Sequence, residues 1–259
     1  MSIPILIVGA AGRMGSTVAR LVGDAGDLRL AAVMDRPGVD LSRVGYDCLT
    51  GENIEELLPQ CPKAVVVDFT SPEASLAVAG CAARHGNPMV IGTTGFSPEQ
   101  RKRLEEYARV SPLFWSPNMS VGVNVLLKVL PELTRLLGDA YDIDIVELHH
   151  NRKKDAPSGT ALRLAECVAE AKDWTLAETG CYHREGIIGE RPKKEIGVQA
   201  VRGGDIVGVH TVYFMGPGER IELTHQAHSR ENFAQGALRA ARWMAGAKPG
   251  KLYAMHDVL

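Results

Sequence analysis

The sequence is poor in the features that would mark a secreted, membrane or nucleic-acid-binding protein. Its five cysteines, Cys48, Cys61, Cys81, Cys167 and Cys181, are odd in number and scattered without a C-x-x-C pair, which argues against both a disulfide framework and a cysteine-based zinc site. They read as reduced, structural thiols. No apolar run reaches membrane-spanning length, and no basic, cleavable leader precedes the strand-like "IPILIVGA", so the expectation is a cytoplasmic protein without a membrane partner. Lys and Arg total 29 against 31 Asp and Glu, a formal net charge of −2, and no long basic block occurs. General nucleic-acid binding is therefore a poor reading, although the short cluster Arg152, Lys153 and Lys154 needs its own explanation. There is no internal repeat and no low-complexity linker. What is left is 259 residues with 45% hydrophobic content, enough for one large or two modest globular domains acting on a small molecule.

The first 120 or so residues alternate buried-type strands with helix signals. "PILIVGAAGRMGSTVARLVGDA" reads as strand, glycine turn and helix, and "LRLAAVMD", "AVVVDFT" and "NPMVIGTTG" read as further strands. Ser71 and Ser97 each stand as N-cap before a proline, and Ser97 with Gln100 fits a capping box. The pattern predicts an α/β fold, with an N-terminal doubly wound parallel sheet of Rossmann type over 1–120. After a long apolar helix, "NVLLKVLPELTRLL", the pattern shifts. Ile143 and Ile145 alternate with aspartates in "YDIDIVELHH", and "EIGVQAVRGG", "IVGVHTVYFMG" and "RIELTHQA" follow with short glycine-containing connections. A second α+β domain over 121–229, with a mixed or antiparallel sheet, is expected. Ser229 is an N-cap candidate for a last helix that carries Phe233, Ala237, Leu238, Ala241 and Met244 on one face.

Gly9, Gly12 and Gly15 lie where the first strand meets the first helix. A pyrophosphate needs close backbone approach there, and the helix end supplies N–H groups and a positive dipole. The same glycines could instead serve only tight strand-helix packing. Asp35 ends the second strand, where an acid can accept from an adenosine ribose, and this context favours a dinucleotide site. Arg36 could bind a 2′-phosphate, stack on adenine, or simply face solvent. Gly92 to Gly95 and Asp68-Phe69-Thr70 fall at the C-terminal ends of later strands, where open parallel sheets bind ligands.

"ELHHNRKKDAPSGTALRLAE", 147 to 166, gathers a second set of groups. His149 and His150 end a strand and should point to opposite faces. Lys153 adds a cation, and "PSGT" before a helix should present N–H groups to a carboxylate. Together they suit a small dianionic substrate whose reduction is followed by protonation. A metal held by His149, His150 and Asp155 is a weaker alternative, because metal-ligand spacing is absent.

Across nearly the whole chain, "GAAGRMG", "DFTSPEA", "VIGTTGF", "PNMSVGVNV", "ELHHNRKKDAPSGTA" and "RGGDIVGVHTV" make the sequence resemble the dihydrodipicolinate reductase family of lysine and diaminopimelate biosynthesis. The resemblance implies reduction of 4-hydroxy-tetrahydrodipicolinate, with NADH or NADPH as coenzyme and no metal. By it, His149 would be the proton donor and Lys153 its partner, while His150, Gly159 and Thr160 would hold the substrate carboxylates. The coenzyme would lie along Gly9, Ala10, Ala11, Gly12, Arg13 and Met14, against Asp35 and Arg36, at Gly92, Thr93 and Thr94, and along Ser116, Pro117, Asn118 and Met119. It also implies that the C-terminal segment 230–259 joins the nucleotide domain and that 121–229 carries the substrate and pairs chains into a homotetramer. Two other readings stay open. One is a dinucleotide-sensing regulator, which would not need the histidine-lysine cluster; the other is a semialdehyde or homoserine dehydrogenase, whose phosphorylating form needs a catalytic cysteine that no motif here suggests.

Overall fold

The computed structural model describes residues 2–41 and 45–259. The chain divides into two compact units, 1–121 with 231–259, and 122–230.

In the first unit, a parallel sheet forms from β1 (Ile3–Val8), β2 (Leu28–Met34), β3 (Leu49–Gly51), β4 (Val65–Asp68), β5 (Met89–Ile91), β6 (Leu113–Trp115) and β12 (Leu252–Tyr253). Their order is β12-β6-β5-β4-β1-β2-β3. Chain direction across the sheet therefore reverses between β1 and β4, the point at which open α/β sheets bind ligands. The strands read as continuous apolar runs because both faces are covered. Ile5, Ile7, Val65 and Val67 pack on one side with residues of α1 (Arg13–Gly23) and α8 (Glu231–Met244). On the other side Leu6, Val8, Val66 and Ile91 pack with residues of α2 (Ile54–Leu57), α3 (Pro72–His85) and α4 (Pro98–Ala108). The caps predicted at Ser71 and Ser97 are present, while the last helix begins at Glu231, two residues beyond Ser229. Ser71 accepts from Ala74 N, and Ser97 and Gln100 form the full capping box. Strands β3, β6 and β12 are only two or three residues long, and no sequence pattern announces them.

In the second unit, α5 (Val121–Leu137), α6 (Gly159–Ala171) and α7 (Leu176–Thr179) accompany β7 (Asp142–His149), β8 (Gly180–Cys181), β9 (Ile196–Arg202), β10 (Gly208–Gly216) and β11 (Glu219–Ala227). The sheet order is β11-β10-β7-β9-β8. It is mixed: β7 pairs antiparallel with β10 and parallel with β9. Along β7, Ile143, Ile145, Glu147 and His149 are buried in alternation. The two isoleucines join a core with Leu164, Val168, Val198, Val212 and Phe214. The next two buried positions on that face are a carboxylate and an imidazole.

Helix α8 approaches the chain closely at Gly236, where an added methyl carbon would fall 1.7 Å from the Met119 carbonyl oxygen. Gly236→Ala should therefore cost about 1–3 kcal/mol of stability. Gly246→Ala, which meets nothing within 4 Å among the described residues, should stay within about 0.5 kcal/mol. Urea denaturation compares them, and equal midpoints would contradict this packing.

Candidate active site

At the end of β1 the backbone turns through Gly9, whose φ of +75° favours glycine. Gly9 N and Ala10 N both donate to Met34 O, and Gly12 N donates back to Gly9 O at 3.0 Å. An added methyl at Gly15 would lie 2.1 Å from Gly9 O, so the first turn of α1 needs a bare α-carbon to sit on the loop. The α1 N-cap is Gly12, which brings no side chain to the helix end, and the first turn carries no acid. That leaves backbone N–H groups and the dipole for an anion. Asp35 Oδ2 accepts from Ala11 N at 2.8 Å and Oδ1 accepts from Arg36 N at 2.9 Å. Asp35 thus braces the glycine turn while its remaining lone pairs can accept from a ribose. Arg36 is exposed beside it. Tyr46, which stands in no motif of the sequence, donates to Ala10 O at 3.2 Å. These residues fit a nicotinamide dinucleotide.

Asp68, at the end of β4, is fully buried and accepts from Thr70 N at 3.0 Å, from Thr70 Oγ1 at 2.7 Å and from Ser75 Oγ. Burial pushes its carboxyl up to about 6, against the hydrogen bonds of Ser75 and Thr70. The Ser75 and Thr93 hydroxyls are bonded at 2.8 Å, and Trp115 Nε1 donates to Thr93 O at 2.9 Å. A methyl at Gly92 would meet the Phe69 ring at 2.1 Å. The network ties Gly92 and Thr93 to Asp68-Phe69-Thr70 and leaves Thr94 exposed. Beyond β6, Ser116 Oγ donates to Asn118 O at 2.7 Å and Asn118 Oδ1 accepts from Ser120 N at 2.9 Å. Pro117 is exposed on this turn, while the Met119 side chain is buried.

The second unit builds a different kind of site. Strand register sets His149 opposite Arg202 on β9 and Glu147 opposite His210 on β10. Glu147, 0% exposed, accepts from Arg202 Nη1 at 2.8 Å and Arg202 Nη2 at 2.7 Å. It also accepts from Ser158 N at 2.9 Å and lies 2.5 Å from His149 Nδ1. Burial pushes this carboxyl up, but the Arg202, His149 and Ser158 hydrogen bonds outweigh it and hold Glu147 below the usual carboxylate range. Burial also lowers the His149 pKa, and the nearby charges of Lys153 and Arg202 lower it further against the pull of Glu147. His210 lies edge-on to His149, ring centroids 5.2 Å apart, and bonds Ser158 Oγ through Nε2 at 3.0 Å. Burial, then the His149 charge, brings the His210 pKa down to about 4.

His149 and His150 separate as their strand position implies. His149 is buried on the core face; β7 ends there, and His150 N donates to Ile206 O at 2.8 Å. The His150 Nδ1 atom is buried with no partner among the described residues. Lys153 Nζ is bonded to both Asp155 carboxylate oxygens at 2.9 Å, so this cation is paired within its loop. The "PSGT" turn forms the N-terminus of α6, but Ser158 Oγ already accepts from Ala161 N at 3.2 Å. Ser158 N is likewise taken, by Glu147, so Ser158 adds no donor to the cradle expected there. Among the described residues no three His, Cys, Asp or Glu side chains gather as metal ligands; Asp155 faces Lys153 and His149 faces Glu147. The sequence alone gives Glu147, Arg202 and His210 no site role, and Ser158 belongs to its PSGT turn only as a backbone donor. An acid alternating with buried isoleucines was the one available signal.

Residues 3–119 match the family model described as dihydrodipicolinate reductase, N-terminus, and residues 122–259 match its C-terminus. A relative from Nitratidesulfovibrio vulgaris (strain DP4), named 4-hydroxy-tetrahydrodipicolinate reductase, is 67% identical over 258 residues, covering 100% of both chains. One of the same name from Oleidesulfovibrio alaskensis is 60% identical over 259 residues, again covering 100% of both. A solved structure, a dipicolinate-bound dihydrodipicolinate reductase from Paenisporosarcina sp. TG-14, is 26% identical with a TM-score of 0.80 and covers 100% of both chains. Matched by both halves of the family model and by full-length relatives, the chain belongs to the dihydrodipicolinate reductase family.

Proposed function

We propose that the chain reduces 4-hydroxy-tetrahydrodipicolinate to tetrahydrodipicolinate in lysine and diaminopimelate biosynthesis, using either NADH or NADPH, with His149 as proton donor. The observation that carries this reading is the buried His149, bonded to Glu147 at 2.5 Å, on a chain of this family. Gly9 to Met14, Asp35 and Arg36, Gly92 to Thr94 and Ser116 to Met119 would hold the coenzyme, which supplies a hydride when bound. Loss of the 4-hydroxyl of the substrate as water gives a conjugated imine; hydride addition to it leaves an electron-rich carbon that must gain a proton, and His149 supplies it. Lys153 keeps the surroundings of the substrate positive. His150, whose buried Nδ1 has no partner among the described residues, and the Gly159-Thr160 end of α6 bind the two carboxylates. The same proposal makes the protein a cytoplasmic homotetramer paired through the five-stranded sheet, and light scattering at four times the chain mass checks that part. The activity is tested with purified protein, NADH or NADPH, and substrate freshly made by the preceding condensation. Absorbance at the coenzyme band should fall, and no oxidation of either coenzyme would remove the proposal.

His149→Gln should lower kcat by about 10²-fold or more and leave coenzyme affinity almost intact, since loss of a general acid costs roughly 10² to 10⁴. His150→Gln should act mainly on KM; steady-state kinetics in which the two swap behaviour would reverse the roles. Thr160→Val should weaken substrate and pyridine-2,6-dicarboxylate together, because a carboxylate at the helix end loses a donor. Unchanged inhibition in that variant would count against the helix-end site.

For the coenzyme, Asp35 should repel a 2′-phosphate while Arg36 offsets that by a contact of about 1–3 kcal/mol. NADH and NADPH should then differ in kcat/KM by no more than roughly a hundredfold. Arg36→Ala should reduce NADPH use by about tenfold and spare NADH. Asp35→Ala should damage both, because its carboxylate also holds Ala11 N. Equal losses in Arg36→Ala would mean that the guanidinium stacks on adenine.

A further inference from the structure

His149 has two ring nitrogens, and only one of them can exchange a proton with the substrate. Its Nδ1 lies 2.5 Å from Glu147 Oε2. An ionised carboxylate only accepts hydrogen bonds, and Glu147 is held ionised by the two-pronged contact of Arg202 at 2.7 and 2.8 Å and by Ser158 N at 2.9 Å. Nδ1 must therefore carry the hydrogen in the neutral ring, since a bare Nδ1 would set two acceptors against each other. The bare nitrogen is then Nε2. What lies before it is Gly208 on β10, where an added methyl carbon would fall 3.0 Å from His149 Nε2 and 3.7 Å from His210 Cε1. Gly208 itself is buried and its backbone is not left-handed. The absence of a side chain there serves space beside the ring, not a turn.

We propose that Glu147 and Gly208 are positioning residues for the proton transfer: Glu147 fixes His149 as the Nδ1–H tautomer, making Nε2 the exchanging atom, and Gly208 keeps the approach to Nε2 open. This rests on the reading of His149 as proton donor. In the donating form the ring is an imidazolium with hydrogens on both nitrogens, and Glu147 supplies its counter-charge. The Nε2–H bond breaks with its electron pair left on Nε2, the enamine pair forms the new C–H bond, and the ring returns to neutral Nδ1–H. Solvent restores the proton before the next turnover. The groups around the ring divide in their effect. Glu147 on the same strand favours the imidazolium; Arg202 on β9 and Lys153, paired to Asp155 in the loop before α6, oppose it. His210 on β10 stands beside the ring, with His225 of β11 beyond it at 6.5 Å. A dianionic substrate would shift the balance toward the charged ring.

The test is long-range proton-nitrogen correlation NMR on the full-length protein labelled with ¹⁵N-histidine, at a pH where His149 is neutral, with its signals assigned by their loss in His149→Gln. The expected result is a protonated Nδ1 and an unprotonated Nε2; an Nε2–H tautomer, or an even mixture, overturns the role of Glu147. Glu147→Gln should move the high-pH limb of the kcat profile to lower pH, because the imidazolium loses its counter-charge. An unmoved limb counts against the proposal, and if that variant does not fold the wild-type spectrum decides. Gly208→Ala should lower kcat/KM for the substrate at least tenfold with coenzyme affinity and the pH profile unchanged, and a wild-type rate overturns the role of Gly208. A wild-type rate in His149→Gln would instead remove the proton-donor reading while leaving the tautomer result standing.

Discussion

A carboxylate with no exposure to water, Glu147, is the constraint around which the second unit is arranged. Removing an ion from water costs several kcal/mol unless geometry and hydrogen bonding compensate. Here four donors do so, and they come from separate parts of the chain: β9 through Arg202, the start of α6 through Ser158, and the end of β7 through His149. Meeting the needs of one side chain thus fixes strand register, the position of a helix end and the orientation of an imidazole. Arg202 extends the arrangement by donating to Asp155 O at 2.8 Å, which draws in the loop that carries Lys153.

Asp68 in the first unit shows how much depends on that arginine. Both carboxylates are fully buried and both accept several hydrogen bonds. Asp68 has hydroxyl and amide donors but no cation among the described residues, and burial drives it up to about 6. Glu147 has a guanidinium in two-pronged contact, and its pKa falls below the ordinary value. The first acid is suited to tie two strand ends together; the second is suited to remain charged beside an imidazole. The coenzyme cradle follows the opposite logic from the acid site. At Gly9, Gly12 and Gly15 an added methyl would meet Thr70 or the Gly9 backbone, so the turn closes only without side chains; in the proposed function it leaves backbone N–H groups and the helix dipole to the coenzyme.

Local signals made much of this legible in the sequence. Continuous apolar runs, the glycine turn, the serine caps and the alternation of Ile143 and Ile145 each depend on neighbours a few residues away, and each element they mark is present. Strands β3, β6 and β12 are too short to carry a period and exist through pairing with their neighbours in the sheet. His149 and Lys153 are legible as candidates because they share a short stretch. Arg202 was missed because it lies 55 positions from Glu147 and meets it only through the parallel register of β7 and β9. Glu147 itself sits where an isoleucine would continue the pattern, so its place in the alternation is the one local sign that this acid is buried. The pairing of Lys153 with Asp155 and the capture of Ala161 N by Ser158 are likewise matters of side-chain conformation.

The most direct measurement of the central claim, that Glu147 is buried as a charge held by Arg202, is a double-mutant cycle of Glu147→Met and Arg202→Met read by chemical denaturation. Each single substitution strands a charge and should cost about 3–5 kcal/mol, and the double variant should lose less than the two together, with a coupling of about 2 kcal/mol or more. Losses that add to within about 0.5 kcal/mol would contradict the account.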